Sequence, residues 1–226
     1  MSGSKRIALY GGTFDPVHKG HITVANALSK MFWLEEVVFI PASVAPHKRV
    51  TDVTPGLHRY AMLALATQDE PRWRVSTLEL DAPEKPYTFE TLARMRENLG
   101  GESELFFIMG ADSWMEITTW REWEKVLTAT NHIVVARPGY ELNAEHVTPE
   151  VRGRLVDLRR HDHEPAPIEI ANGEVRKIYV TDVVKMDISA RSIRQAVREG
   201  RGADWLPWVP PPVANYIAKY ELYGAK

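Results

Sequence analysis

Residues 11–21 read Gly11-Gly12-Thr13-Phe14-Asp15-Pro16-Val17-His18-Lys19-Gly20-His21, and their types suit an anion. Adjacent glycines straight after an apolar, strand-like stretch let the backbone approach a ligand closely and turn sharply. A helix opening near His21 points its free amides and the positive end of its dipole back at that loop. His18 and His21 share one side of a helical turn, with Lys19 between them, so the segment offers several donors to phosphate oxygens. Taken singly, Gly-Gly is a turn and His-x-x-His a surface pair. Strand, double glycine, proline and paired histidines in this order at a helix start favour function. The Walker and dinucleotide glycine patterns are both missing from this turn, which sets kinase and dehydrogenase chemistry aside.

A second run with anion-binding character is Ile188-Ser189-Ala190-Arg191-Ser192-Ile193-Arg194. Ser189 fits a helix N-cap, the amides behind it form another anion site, and Arg194 can fork onto pyrophosphate oxygens. Alone, this run would read as a capped surface helix. Ala45-Pro46-His47-Lys48 is either a phosphate-reaching or a solvated basic loop. Thr88, after Tyr87, reads as an N-cap with Tyr87 as its packing neighbour. Asp112, just past Gly110, could cap a helix. Trp114 and Trp123 have the helical spacing of core aromatics. His161-Asp162-His163-Glu164 has neither strand nor helix spacing and no second ligand cluster after it, so a solvated loop is favoured over a metal site.

These residues need a frame, and the apolar pattern supplies one. Strands are expected at 6–10, 36–40, 73–80, 105–109, 132–136 and 177–184. Helices are expected at 21–32, 57–66, 88–99, 120–127, 149–158, 189–199 and 213–222. Strands alternating with helices of about ten residues predict an α/β fold, a doubly wound and mainly parallel sheet with C-terminal helices. Such a sheet binds its ligand at the carboxyl ends of the strands, near the topological switch point. Residues 141–176 are polar and broken by Pro165 and Pro167, which reads as an elaborated surface connection.

Composition narrows the function classes. With 226 residues, 44% hydrophobic and 26% charged, the chain has the ordinary globular mix. A formal net charge of −2 argues against a partner that is a nucleic acid polymer. Zero cysteines exclude disulfides, thiolate metal sites and cysteine nucleophiles. No run approaches a membrane span and the N-terminus is unlike a signal peptide, so no membrane partner and a cytoplasmic location are expected. A homo-oligomer is compatible with this composition.

The 11–21 segment resembles the signature of bacterial nicotinate mononucleotide adenylyltransferases, in the nucleotidylyltransferase superfamily with its Thr/His-x-Gly-His motif. The resemblance covers most of the chain and implies a Rossmann-like nucleotidylyltransferase fold as a single domain over 1–226, helical from about 188. It puts His18 and His21 on the ATP phosphates as catalytic residues together with Arg194, and Gly11, Gly12, Thr13 and Phe14 beside the nucleotide. Lys48 lies in what looks like the family's Pro-His-Lys loop and would reach phosphate. Gly110 would admit the adenosine, and Asp112 would meet its ribose or phosphate side. Ser189, Ser192 and Ile193 lie in what resembles the family's Ile-Ser-Ser-Thr-x-Ile-Arg motif, with Ala190 and Arg191 replacing Ser and Thr, so either Ser192 stands in or Arg191 adds charge. Tyr87 and Thr88 match the family's Tyr-Thr-x-Asp-Thr-Leu helix start, with Glu90 where Asp is usual, and would lie near the pyridine nucleotide. Trp120 sits where the family stacks an indole on the pyridine ring, and Arg137 would contact substrate phosphate or close the pocket.

The implied reaction joins nicotinate mononucleotide to ATP, with Mg²⁺ arriving on the ATP and no metal ligand from the chain. Two rivals remain at this stage. One is another adenylyl- or cytidylyltransferase, such as one using phosphopantetheine or glycerol phosphate; the other is a non-catalytic nucleotide-binding sensor on the same fold.

Overall fold

Alternation along the strands decides the architecture. In β1 (Arg6–Gly12), Ile7 and Leu9 enter one core while Ala8 and Tyr10 enter another. β2 (Glu36–Pro41) divides the same way, Val38 and Ile40 against Val37 and Phe39. So does β4 (Glu104–Gly110), with Leu105, Phe107 and Met109 opposite Phe106 and Ile108. Strands apolar on both faces must be covered on both. The computed structural model describes residues 4–43, 53–100, 103–136, 142–159, 175–184, 186 and 188–224. It contains a seven-stranded sheet ordered β3-β2-β1-β4-β5-β7-β6, completed by β3 (Trp73–Val75), β5 (Asn131–Val135), β6 (Leu155–Asp157) and β7 (Ile178–Thr181). Every strand pair is parallel.

One face is covered by α1 (Lys19–Met31) and α2 (Gly56–Thr67), which bury Leu28 and Leu63. The other is covered by α3 (Thr88–Leu99), α4 (Ala111–Met115), α5 (Trp123–Ala129) and α6 (Pro149–Arg152), with Leu92, Trp114, Leu127 and Val151 buried. The C-terminal helices α7 (Ala190–Arg198), α8 (Gly202–Trp205) and α9 (Pro211–Lys219) return to the first face through Ile193, Trp205 and Ile217. Among the described residues no helix is long and apolar enough to cross a membrane.

Several expected elements differ. The 73–80 strand pairs only over Trp73–Val75, because residues 77–81 close a turn on the Thr77 carbonyl and Glu79 is drawn inward. The 149–158 helix stops after Arg152, and its second half is the edge strand β6 on β7. The helix expected at 120–127 begins only at Trp123, because Trp120 is extended and Glu122 adopts φ 54°. The helix expected from His21 begins at Lys19, which moves both histidines within its first turn.

Candidate active site

From β1 the chain winds through β2 to β3 at one edge, then returns to place β4 on the other side of β1. The carboxyl ends of β1 and β4 therefore flank the switch point, where a doubly wound sheet binds its ligand. These ends are Gly12 and Gly110.

The glycines do not make the turn. β1 runs through both, Gly11 opposite Ile40 and Gly12 opposite Pro41. The reversal falls on Phe14, at φ 50° in the left-handed region. Its buried ring folds back edge-on to Tyr10 at 5.4 Å and near Phe39 at 5.8 Å. A Cβ on Gly12 would stand 2.9 Å from that ring, and one on Gly11 3.1 Å from the ring of Phe107. Close packing therefore requires the pair, with Thr13 following at the loop entrance.

His18 is the N-cap of α1 and His21 its third residue. The imidazoles stack with centroids 3.7 Å apart and planes at 28°. The His18 amide donates to His21 Nδ1 at 3.1 Å, a capping-box arrangement. Accepting at Nδ1 leaves the ring proton of His21 on Nε2, which makes that nitrogen a donor while the ring is neutral. Phe14 meets His21 edge-on at 5.0 Å. A Cβ on Gly20 would lie 3.0 Å from the His18 ring and 4.0 Å from Ile188, so Gly20 makes room for His18 beside the distant 188–194 motif. Lys19 points outward.

The structure brings that C-terminal motif onto the first loop. Ser189 caps α7, its Oγ accepting from the Ser192 amide at 3.1 Å and lying 2.7 Å from the Ser192 hydroxyl. Arg194 donates from Nη1 to the Asp15 carbonyl at 2.6 Å, while its buried Nε has no hydrogen-bond partner among the described residues. The side chain of Ile193 is in the core and its amide bonds the Ser189 carbonyl at 3.1 Å, so it anchors α7.

On the other side of the switch point, Gly110 caps α4 and is exposed; beyond its chain neighbours, a Cβ there would meet no atom of the described residues within 4 Å. Asp112 is exposed in the first turn of α4. Trp114 is core, as expected, its Nε1 donating to the Asn143 carbonyl at 2.9 Å. Trp120 and Trp123 are partly buried against the same core. The N-cap of α3 is Tyr87, not Thr88, and Glu90 performs the capping by accepting the Tyr87 amide at 2.8 Å. Arg121, beside Trp120, lies over the Tyr87 ring at 4.8 Å, which brings together the two segments expected to receive the pyridine nucleotide.

Sequence reasoning missed the groups that hold these parts in place. Arg59 is fully buried and donates to the carbonyls of Thr13 at 2.8 Å, Ser43 at 3.0 Å and Thr54 at 2.8 Å. Burial lowers its pKa, opposed by the charge of Asp15. Glu79 accepts the Ser43 amide at 3.3 Å and the Thr91 hydroxyl at 2.9 Å, and burial raises its pKa. These groups form a polar chain from the histidine loop to α3. Asp15, 2% exposed, accepts from the Thr54 amide at 3.2 Å and the Tyr223 hydroxyl at 2.7 Å. The only local signal for them is a charge inside an apolar helical run, as at Arg59. Lys48, Arg137 and residues 161–164 lie outside the described residues.

The profile of the cytidylyltransferase-like family matches residues 9–196. A Thermoanaerobacter protein named probable nicotinate-nucleotide adenylyltransferase is 37% identical over 223 residues, 99% of this chain and 96% of its own. A Thermus thermophilus protein of the same name is 37% identical over 218 residues, 96% and 99% of the two chains. Among solved structures, the Plasmodium falciparum nicotinic acid mononucleotide adenylyltransferase complexed with NaAD superposes with a TM-score of 0.73 at 22% identity, over 98% of each chain. Its complex with APC superposes at 0.72 and 21%, again over 98% of each. At these identities the structures speak to the fold.

Proposed function

The chain belongs to the cytidylyltransferase-like family and, within it, to the nicotinate-nucleotide adenylyltransferases, and on that premise we infer the chemistry of its site. The protein is a nucleotidyltransferase of NAD biosynthesis that joins nicotinate mononucleotide to ATP, giving deamido-NAD and pyrophosphate. What carries the assignment of the reaction to this place is the stacked His18–His21 pair in the first turn of α1, at the switch point of the sheet.

The mononucleotide phosphate attacks the α-phosphorus of ATP in line as the bond to the pyrophosphate oxygen breaks. Its second pKa is about 6, so the nucleophile is already an anion and no general base is needed. The chain must align two mutually repelling phosphates and neutralise the charge that collects on the leaving pyrophosphate. His21, donating from Nε2, and His18 hold the triphosphate; Arg194, the α7 amides next to Ser189 and the hydroxyls of Ser189 and Ser192 take the pyrophosphate side. Gly11, Gly12, Thr13 and Phe14 line the nucleotide, with Gly110 and Asp112 on its adenosine side. Tyr87, Thr88 and Trp120 receive the pyridine nucleotide, and Lys48 and Arg137 are assigned from the sequence motifs.

Magnesium arrives as part of the substrate, held through phosphate oxygens and water, and supplies further charge neutralisation. The donor set fits this, because the buried carboxylate of the loop, Asp15, is already engaged by Thr54 and Tyr223. A cytoplasmic location suits such substrates.

Purified protein is given Mg·ATP with nicotinate mononucleotide, nicotinamide mononucleotide, phosphopantetheine or glycerol phosphate in turn, and pyrophosphate and the dinucleotide are measured. Turnover is expected with the pyridine mononucleotides, nicotinate leading. ATP binding without pyrophosphate release would make the protein a sensor instead.

A further inference from the structure

Asp15 is a node whose two ends face different elements. Its buried carboxylate accepts from Tyr223 in the C-terminal turn, 2.7 Å away and 208 positions along the chain. It also accepts from the Thr54 amide before α2. Its carbonyl accepts from Arg194 at 2.6 Å. A buried carboxylate is costly unless hydrogen-bonded, so the Tyr223 hydroxyl is part of what keeps this one in place. The tail is built for that contact: the backbone over Leu222–Gly224 kinks at Tyr223, whose φ of 60° is a conformation a bulky residue adopts only when its surroundings enforce it. Leu222 and Tyr223 pack on the first core, and burial followed by the neighbouring Asp15 charge raises the Tyr223 pKa, which keeps the hydroxyl a donor.

We propose that Tyr223 is a positioning residue for the transfer reaction: through Asp15 it sets the backbone carbonyl that aims the Arg194 guanidinium at the leaving pyrophosphate. The C-terminal turn is thereby part of the triphosphate site. This rests on the reading of Arg194 given above.

The test is a double-mutant cycle on pyrophosphate release by the full-length protein, with Tyr223→Phe, Arg194→Ala and both together. Tyr223→Phe is expected to lower kcat about tenfold, as misplacing a catalytic group does, with KM for nicotinate mononucleotide unchanged. In the Arg194→Ala background the same change is expected to cost nothing further, because a group acting through another loses its effect when that other is gone. Losses that simply multiply, or a Tyr223→Phe enzyme with wild-type kcat, would overturn the proposal and leave the Arg194 reading standing. An Arg194→Ala enzyme with wild-type kcat would remove that reading and the proposal with it. A second measurement needs no variant: by linkage, whatever orders the triphosphate site must order the tail. Hydrogen exchange over residues 220–224 is expected to slow when a non-hydrolysable ATP analogue is bound with magnesium. Exchange indifferent to the nucleotide would overturn the proposal.

Discussion

At the scale of single residues, the site relies on side chains held by backbone geometry. His18 and His21 are fixed by a hydrogen bond from the His18 amide to His21 Nδ1, by stacking and by a glycine that leaves room for a ring. Removing one positioned donor typically costs ~2.7–4 kcal/mol in the transition state. His18→Ala is therefore expected to cut kcat by about 100-fold or more while changing KM for nicotinate mononucleotide little, as steady-state kinetics would show. Gly110 provides a complementary test. Beyond its chain neighbours, a methyl there meets no atom of the described residues within 4 Å, so Gly110→Ala is expected to keep the wild-type melting temperature while raising KM for ATP several-fold. A lowered melting temperature with unchanged KM would assign this glycine to the fold instead. The histidines were legible in sequence because their relation is local, one turn of helix. Arg59, Asp15 and Tyr223 were not, because their partners lie far away along the chain.

At the scale of elements, the way a helix starts decides what it presents. Expecting Thr88 to cap α3 missed that Glu90 reaches back to the Tyr87 amide, although the spacing of a capping box was there to be read. Glu90→Ala removes that bond. It is expected to cost about 1 kcal/mol of stability and to raise KM for nicotinate mononucleotide but not for ATP, a split that kinetics with each substrate varied would reveal. The edge strands were the least legible. β6 takes residues of an expected helix because β7 offers it a parallel partner, and Gly153 breaks the helix just before it. β3 is cut short because the chain turns on the Thr77 carbonyl just past it.

At the scale of the whole molecule, the sheet carries a neutral buried histidine that ties stability to pH. His132 on β5 is fully buried, its Nδ1 3.0 Å from the Thr130 carbonyl. Burial pushes its pKa down to about 3, with Arg154 adding to the shift. The unfolded chain protonates this group at its ordinary value near 6.5. Below that pH the unfolded state binds more protons, so stability falls as the pH drops from about 6.5 toward 3 and is unaffected by this group above that range. Glu79, with its raised pKa, works the other way, favouring the fold as it protonates above the usual carboxylate range. Melting temperatures are expected to be flat at pH 7–8 and to fall below 6.5, with His132→Gln flattening the acid limb. A variant that kept the full acid sensitivity would exonerate His132.

Local chemistry was written in the sequence: alternating apolar strands, helical spacing, the Ser189 cap, the histidine pair and the Gly-Gly run all act over a few positions. These were enough to determine a doubly wound parallel sheet and to locate the candidate phosphate loop at the end of its first strand. Tertiary structure alone decided that β1 and β4 flank the switch point and that Gly12 makes room for Phe14 and Gly11 for Phe107. Only it joined Arg59 to three separate carbonyls and Tyr223 to Asp15. The physical reason is that a buried polar group must find a partner wherever the fold supplies one, and such partners lie beyond the reach of any local pattern.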